Sequence, residues 1–324
     1  MISQAVSTSP IPAIVGPTAS GKSDLGIELA LLMGGEIINL DSVQVYRRLR
    51  IATAKVALED RRGIPHHLID IAEPTENFTA GEYAKRAEST IREIVGRGRT
   101  PILVGGTGFY LRALVSPLFE SPKTDLGLRD RLRQLLETRG PEYLHRMLVR
   151  LDAGAAAAIS PRDWSRTMRS LEFRFQSGRR MSEAKRSMPA PPDFAARVKV
   201  IALNPPRQEL YRRIDSRAER MFEKGLVQEV RELIDSGVPA DARAFQAHGY
   251  RRVVEHIKGL RSAEEALEQM KLDTRHYAKR QLSWWRAWPG TEWIEHFGDE
   301  PAAIAEALRR LGCPVPLLKT GHKQ

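Results

Sequence analysis

Eight consecutive residues have the types and spacing to hold a phosphate. Gly16-Pro17-Thr18-Ala19-Ser20-Gly21-Lys22-Ser23 fits the pattern G-x-x-x-x-G-K-[ST]. In such a loop the backbone N–H groups and a following helix N-terminus point at an anion. Lys22 reaches the terminal phosphate oxygens, and the Ser23 hydroxyl sits on Mg²⁺. The ligand is a phosphate ester or a pyrophosphate; the pattern alone does not make it a nucleotide. Asp41 is the second residue with chemistry to offer. It ends an apolar run and is followed by Ser42-Val43-Gln44-Val45-Tyr46. It can hold Mg²⁺, as in an ATP-dependent kinase. It can equally act as a general base beside the phosphate, or simply cap the next helix.

These residues need elements to position them. Residues 11–15 read as a strand before the loop, and 24–33 as a helix after it with Leu25, Leu29 and Leu32 on one side. Further strands are expected at 36–40, 100–104 and 198–203, each followed by a helical pattern. That alternation predicts an α/β fold with a parallel sheet of the phosphate-loop type. Ligands of such sheets bind at the carboxyl ends of the strands, where the Gly16 loop, Asp41 and Thr107 all fall.

Residues 121–192 carry no strand signal and read as a helical insertion, with helices at 125–139, 142–151 and 163–177. In the third, Trp164, Met168, Leu171 and Phe175 recur on one face, opposite Arg162, Arg166 and Arg169. The catalytic core is then expected at 11–120 and 193–300, with 301–324 as a tail. Helices are expected at 208–223, 226–236 and 274–288. In the last, Arg275, Lys279 and Arg286 share one face, and Ala278, Leu282 and Trp285 another. Cations beside aromatics suit backbone contact and base stacking on nucleic acid.

Composition narrows the class. The 324 residues carry 51 Lys+Arg against 40 Asp+Glu, a net charge of +11. One phosphate site does not require that surplus, which suits a polyanion. A single cysteine, Cys313, leaves no internal disulfide and no cysteine zinc site. His66-His67 lacks a third nearby ligand, which argues against a metal. No apolar run is long enough to span a membrane. The first ten residues lack the pattern of a signal peptide, so a cytoplasmic protein is expected.

Nine segments in order resemble the bacterial tRNA dimethylallyltransferases, or tRNA isopentenyltransferases, from about residue 12 to 295. They are GPTASGKS at 16–23, DSVQVY at 41–46, IATAK at 51–55, PHHLIDI at 65–71 and GGTGFYLRAL at 105–114. RTMRSLEF at 166–173, RRIDSRAERMFEKGLVQEV at 212–230, HGYRRV at 248–253 and TRHYAKRQLSWWR at 274–286 complete the series. The resemblance implies transfer of a dimethylallyl group from its diphosphate to the exocyclic N6 of an adenosine. That adenosine is position 37, 3′ of the anticodon, in tRNAs reading codons that begin with U.

On that resemblance, residues Gly16 to Ser23 grip the diphosphate of dimethylallyl diphosphate, with Arg213 or Arg217 adding positive charge. Lys22 stabilises the departing pyrophosphate, Ser23 helps position Mg²⁺, Asp41 takes the N6 proton, and Thr107 lies near the reacting centre. The implied tRNA contacts are Asp41, Ser42, Val43, Gln44, Thr107 and Arg129, then Ser165-Arg166-Thr167-Met168-Arg169. Gln246-Ala247-His248-Gly249-Tyr250-Arg251 and Lys279-Arg280-Gln281-Leu282-Ser283-Trp284-Trp285-Arg286 follow. The partner is the anticodon stem-loop, and the chain is expected to act as a monomer. Against the family pattern, Ser23 replaces the commoner Thr, Ala52 replaces Gly, His248 replaces Ile and Trp285 replaces Phe. Two other classes share parts of the signal. A small-molecule or nucleotide kinase would need ATP but not the basic helices. An RNA-binding NTPase-like module would not need Asp41 at a strand end.

Overall fold

The computed structural model describes residues 9–116, 118, 119, 122 and 125–314, and all of these but the His248 side chain. Residues 1–8, the start of the insertion at 121 and residues 315–324 lie outside them. Chain contacts divide the protein into two compact units, Ser116–Pro192 and the remainder.

The larger unit is built on a sheet of β1 (Ile11–Val15), β2 (Gly35–Asn39), β3 (His66–His67), β4 (Thr100–Val104), β5 (Val198–Leu203) and β6 (Glu292–Ile294). Among the described residues every pairing is parallel, in the order β3-β2-β4-β1-β5-β6. Strands β1 and β2 are buried throughout, as expected where helices cover both faces. The pleat sends Ile11, Ala13 and Val15 to one face and Ile14 to the other.

Helices α1 (Lys22–Met33), α2 (Ala80–Gly96) and α3 (Gly108–Val115) follow β1, β3 and β4. Thr79 caps α2 by accepting from the Glu82 N–H. In α1, Leu25 and Leu29 are buried, but Leu32 is 46% exposed; the core face is completed by Ile27 instead. The smaller unit holds α4 (Leu126–Arg139), α5 (Pro141–Leu151), α6 (Ala153–Ala157), α7 (Trp164–Ser177) and α8 (Met181–Arg186). Its core is Leu132, Leu144, Leu148, Met168, Leu171 and Phe173 with smaller residues. Trp164 and Phe175 were expected on that buried face, yet each is about half exposed. The apolar seam runs through Met168 and Leu171 to Phe173, and the two end residues rotate out of it.

The chain returns through β5 to α9 (Arg207–Glu223), α10 (Leu226–Asp235), α11 (His248–Ile257), α12 (Ala263–Arg286) and α13 (Pro301–Leu311). Helix α12 starts eleven residues before the expected position 274. Ser262 and Glu265 form a reciprocal cap there. Residues 301–311 are not a tail. Ala303, Ala307, Leu308 and Leu311 pack in the same core as Leu25 and Ile14. Strands β3 and β6, only two and three residues long, give too little alternation to be read from sequence.

Candidate active site

A cavity of about 1210 Å³ opens at the carboxyl ends of β1, β2 and β4. Its wall includes Thr18, Ala19 and Gly21 to Ser23 from the loop after β1, Asp41 to Gln44 after β2, and Gly105 and Thr107 after β4. Three of the expected pieces therefore meet, as strand ends in an open parallel sheet should.

The phosphate loop is held in a left-handed kink. Gly21 (φ +81°) caps α1 with no side-chain acceptor, which leaves the helix N–H groups facing outward. A Cβ there would sit 2.7 Å from the Gly298 nitrogen, so only glycine fits. Ala19 also has a positive φ, +63°, which is strained for a residue with a Cβ. Three ties fix the loop. The Gly298 N–H donates to Ser20 O at 2.9 Å, the Thr18 N–H donates to Gln281 Oε1 at 2.8 Å, and Lys22 Nζ donates to Pro17 O at 2.6 Å.

Loss of water around the Lys22 ammonium lowers its pKa to about 8; Asp41 opposes that shift and Arg217 adds to it. Arg217 is likewise shifted down, first by burial, with Asp41 again opposing. Lys22 and Arg217 are thus two desolvated cations facing Asp41. With Lys55, Arg213, Arg220, Lys224 and Arg243, the cations of the cavity wall outnumber its carboxylates Asp24, Asp41 and Asp60, an arrangement that favours an incoming polyanion. Of the two arginines considered, Arg217 belongs to this cluster. Arg213 also borders the cavity. However, its Nη1 donates to both Asp299 oxygens at 2.9 and 3.0 Å, and its guanidinium lies 3.6 Å from the Phe297 ring centroid. Its charge is already met by protein.

Asp41 is held from below. Buried Asn39 accepts from the Asp41 N–H at 3.0 Å and donates to Asp41 O at 3.1 Å and Leu68 O at 3.0 Å. One carboxylate oxygen, Oδ1, accepts from the Val43 N–H at 2.9 Å. The Ser42 N–H donates to Thr107 Oγ1 at 3.0 Å, and the Thr107 N–H donates to Leu40 O at 3.0 Å. Thr107 is also hydrogen-bonded to the Tyr277 phenol, whose pKa is raised chiefly by burial and secondly by Asp41. Gln44 Nε2 donates to Thr53 O at 3.1 Å, fixing the facing wall.

The other expected contact residues divide by exposure. Ser165, Arg166, Gln246, Arg251, Lys279, Arg280, Ser283 and Arg286 are exposed. Thr167, Met168, Gly249, Tyr250, Gln281 and Trp285 are buried. Of these, Gly249 lines the cavity beside Gln246 and Ala247. Trp285 has no accessible surface, and the Tyr250 hydroxyl donates to Glu229 Oε1 at 2.7 Å. Arg129 is engaged within the smaller unit. Its Nε and Nη2 donate to the two oxygens of buried Glu172 at 2.6 and 2.8 Å, and Arg169 joins the same carboxylate. Arg275, expected on the cationic face of α12, is ion-paired with Asp215. Ala247, Leu282 and Trp284 are partly buried, and Arg112 stacks over the Trp284 ring. The His248 backbone opens α11, and its side chain lies outside the described residues.

Sequence reading missed Tyr277, Asn39 and the Phe297-Gly298-Asp299 support. A signal for the first existed. Thr274, Tyr277 and Gln281 recur at helical spacing as a polar stripe on an otherwise apolar helix face.

A phosphate cradle, two desolvated cations and a carboxylate at the strand ends of a parallel sheet define a phosphate-loop α/β enzyme that transfers a group from, or to, a phosphorylated compound. The chain belongs to the IPP transferase family, which matches residues 44–288. It is 46% identical to a tRNA dimethylallyltransferase of Solibacter usitatus over 93% of this chain and 98% of that protein. It is 44% identical to the Koribacter versatilis tRNA dimethylallyltransferase over 91% and 96%. The crystal structure of a Bacillus halodurans tRNA isopentenylpyrophosphate transferase superposes with a TM-score of 0.68 at 35% identity, covering 94% and 95% of the two chains. A eukaryotic dimethylallyltransferase captured acting on tRNA superposes with a TM-score of 0.74 at 27% identity, covering 95% and 81%.

Proposed function

We propose that this chain transfers the dimethylallyl group of dimethylallyl diphosphate to N6 of adenosine 37 in tRNAs reading codons that begin with U, releasing diphosphate. The observation that carries this reading is the shared cavity. Lys22, Arg217 and the phosphate loop line the same space as Asp41 and Thr107. At about 1210 Å³ it exceeds the usual range for one small ligand, and suits a diphosphate and a nucleobase together.

The chemistry follows from the groups present. The N6 lone pair is conjugated with the purine ring, so the amine is a weak nucleophile. The allylic carbon delocalises positive charge, so its bond to the diphosphate oxygen breaks easily once the leaving charge is met. Lys22, Arg217 and the loop amides meet it. The new N6–C bond forms as the C–O bond breaks, and the N6 proton passes to Asp41 Oδ2. Oδ1 is already held by the Val43 N–H, which orients the carboxylate.

The donor set fits Mg²⁺ of the kind that binds mainly through substrate phosphates. Ser23 borders the cavity. Among the described residues no cluster of three His, Cys, Asp or Glu side chains could hold an ion without them. When bound, Mg²⁺ neutralises diphosphate charge, with the Ser23 hydroxyl as its protein ligand.

To reach the cavity the adenosine leaves its stack; an anticodon loop offers unstacked bases. The exposed cations of α7 and α12 supply phosphate contacts to the stem-loop. The protein acts as a cytoplasmic monomer. No described helix is long and apolar enough to cross a membrane. The test supplies labelled dimethylallyl diphosphate, Mg²⁺ and unmodified tRNA without ATP, then maps the label by nucleoside mass spectrometry. Label on N6 of adenosine 37 is expected. Unlabelled tRNA together with γ-phosphate transfer from ATP would make the chain a kinase instead.

A further inference from the structure

The Lys279 to Arg286 segment resembles an RNA-contacting block, yet Gln281 within it is only 5% exposed. Its amide is occupied at both ends. Oε1 accepts from the Thr18 N–H at 2.8 Å, and Nε2 donates to Gly106 O at 3.1 Å. Only one orientation of the amide satisfies both, because a backbone N–H must meet the oxygen and a carbonyl must meet the NH₂ group. The fit is close. A Cβ at position 106 would overlap the Gln281 amide. One helical turn earlier on α12, Tyr277 is hydrogen-bonded to both Gln281 and Thr107.

In a phosphate loop the backbone N–H groups are the anion ligands. The Thr18 N–H is already committed to protein here, so it shapes the loop and does not hold phosphate. Gln281 therefore spans two parts of the site, the loop that carries the diphosphate and the turn that carries Thr107. We propose that Gln281 is a positioning residue for the diphosphate loop and the reacting centre, and not an RNA contact. This rests on the reading of the cavity as a diphosphate site.

The test compares inorganic pyrophosphate with tRNA as separate ligands, by calorimetry in Mg²⁺. Gln281→Met keeps the length of the side chain and removes both hydrogen bonds. The expected result is about tenfold weaker pyrophosphate binding, since two anchors of the loop are lost, with tRNA affinity within twofold of wild type. Lys279→Ala, on the exposed face of the same helix, should instead weaken tRNA binding a few-fold and leave pyrophosphate binding within twofold of wild type. If Gln281→Met leaves pyrophosphate binding within twofold and weakens tRNA binding, the proposal is overturned. A measurement on the intact protein does not depend on how the variant folds. Amide exchange at Thr18 should be slow without ligand and unchanged by saturating pyrophosphate, while Gly21 and Lys22 gain protection. A Thr18 amide that exchanges freely until pyrophosphate arrives would overturn the proposal. Wild-type protein that fails to bind pyrophosphate at all would overturn the diphosphate reading and this inference with it.

Discussion

Helices α7 and α12 present the same kind of outer face and different inner ones. Each shows cations to solvent: Arg166 on one, Lys279, Arg280 and Arg286 on the other. Inside, α7 contributes Met168, Leu171 and Phe173 to an apolar core beside buried Thr167 and Ser170, with Glu172 gathering Arg129 and Arg169. The inner face of α12 contributes Ala278 and Trp285 to packing, but also Tyr277 and Gln281 to hydrogen bonds with the loops that line the cavity. The lesson is that a block of sequence resembling an RNA contact can hold two functions on two faces. Substitution on the inner face of α12 should alter the reaction. Substitution on the outer face of either helix should alter RNA affinity alone.

The largest effect sharpens the inner side of this comparison. Asp41→Asn keeps an oxygen for the Val43 N–H and removes the proton acceptor. Turnover should fall by about 10²–10⁴-fold with tRNA affinity within a few-fold. Single-turnover rates near wild type would mean that the proton goes elsewhere.

Next comes pH. Lys22, with a pKa of about 8 in the unliganded site, must be protonated to pair with diphosphate, and a bound anion raises its pKa. Affinity for pyrophosphate should therefore hold below pH 8. Above that it should fall as pH rises, approaching tenfold per unit. A flat profile from pH 7.5 to 9.5 would remove Lys22 from the binding charge.

Tyr277→Phe deletes one hydroxyl from the inner face of α12. A loss of up to about tenfold in kcat is expected from one hydrogen bond, with tRNA affinity unchanged. A change in tRNA affinity alone would break the division of faces. The smallest effects lie outside. Arg166→Ala and Lys279→Ala should each weaken tRNA binding a few-fold and make its salt dependence shallower by about one unit. An unchanged slope would leave these as ordinary solvated charges.

The strand–loop–helix at Ile11–Met33, the carboxylate at the end of β2 and the parallel sheet were legible because each has a local signature. A glycine pattern, an apolar run and a terminating Asp lie within a few residues of one another. The supports were not, because they are distant in sequence. Gln281 meets Thr18 across 263 positions, and Gly298 meets Ser20 through backbone atoms alone. Neither contact leaves a periodicity. Asn39 could be read only as a residue within the strand at 36–40, since its role comes from accepting and donating around a turn. Burial inside the resembling blocks was equally hidden. Tyr250 and Trp285 look like contact residues by type, and only packing assigns them to the core.

The central claim is that the phosphate loop holds a leaving group while Asp41 activates an RNA base in the same cavity. The most direct test is a single-turnover reaction of enzyme, unmodified tRNA and doubly labelled dimethylallyl diphosphate, with Mg²⁺ and no nucleotide. The account predicts one diphosphate released for each prenyl group gained by tRNA, at equal rates. Diphosphate released without prenyl transfer, or transfer that requires ATP, would contradict it.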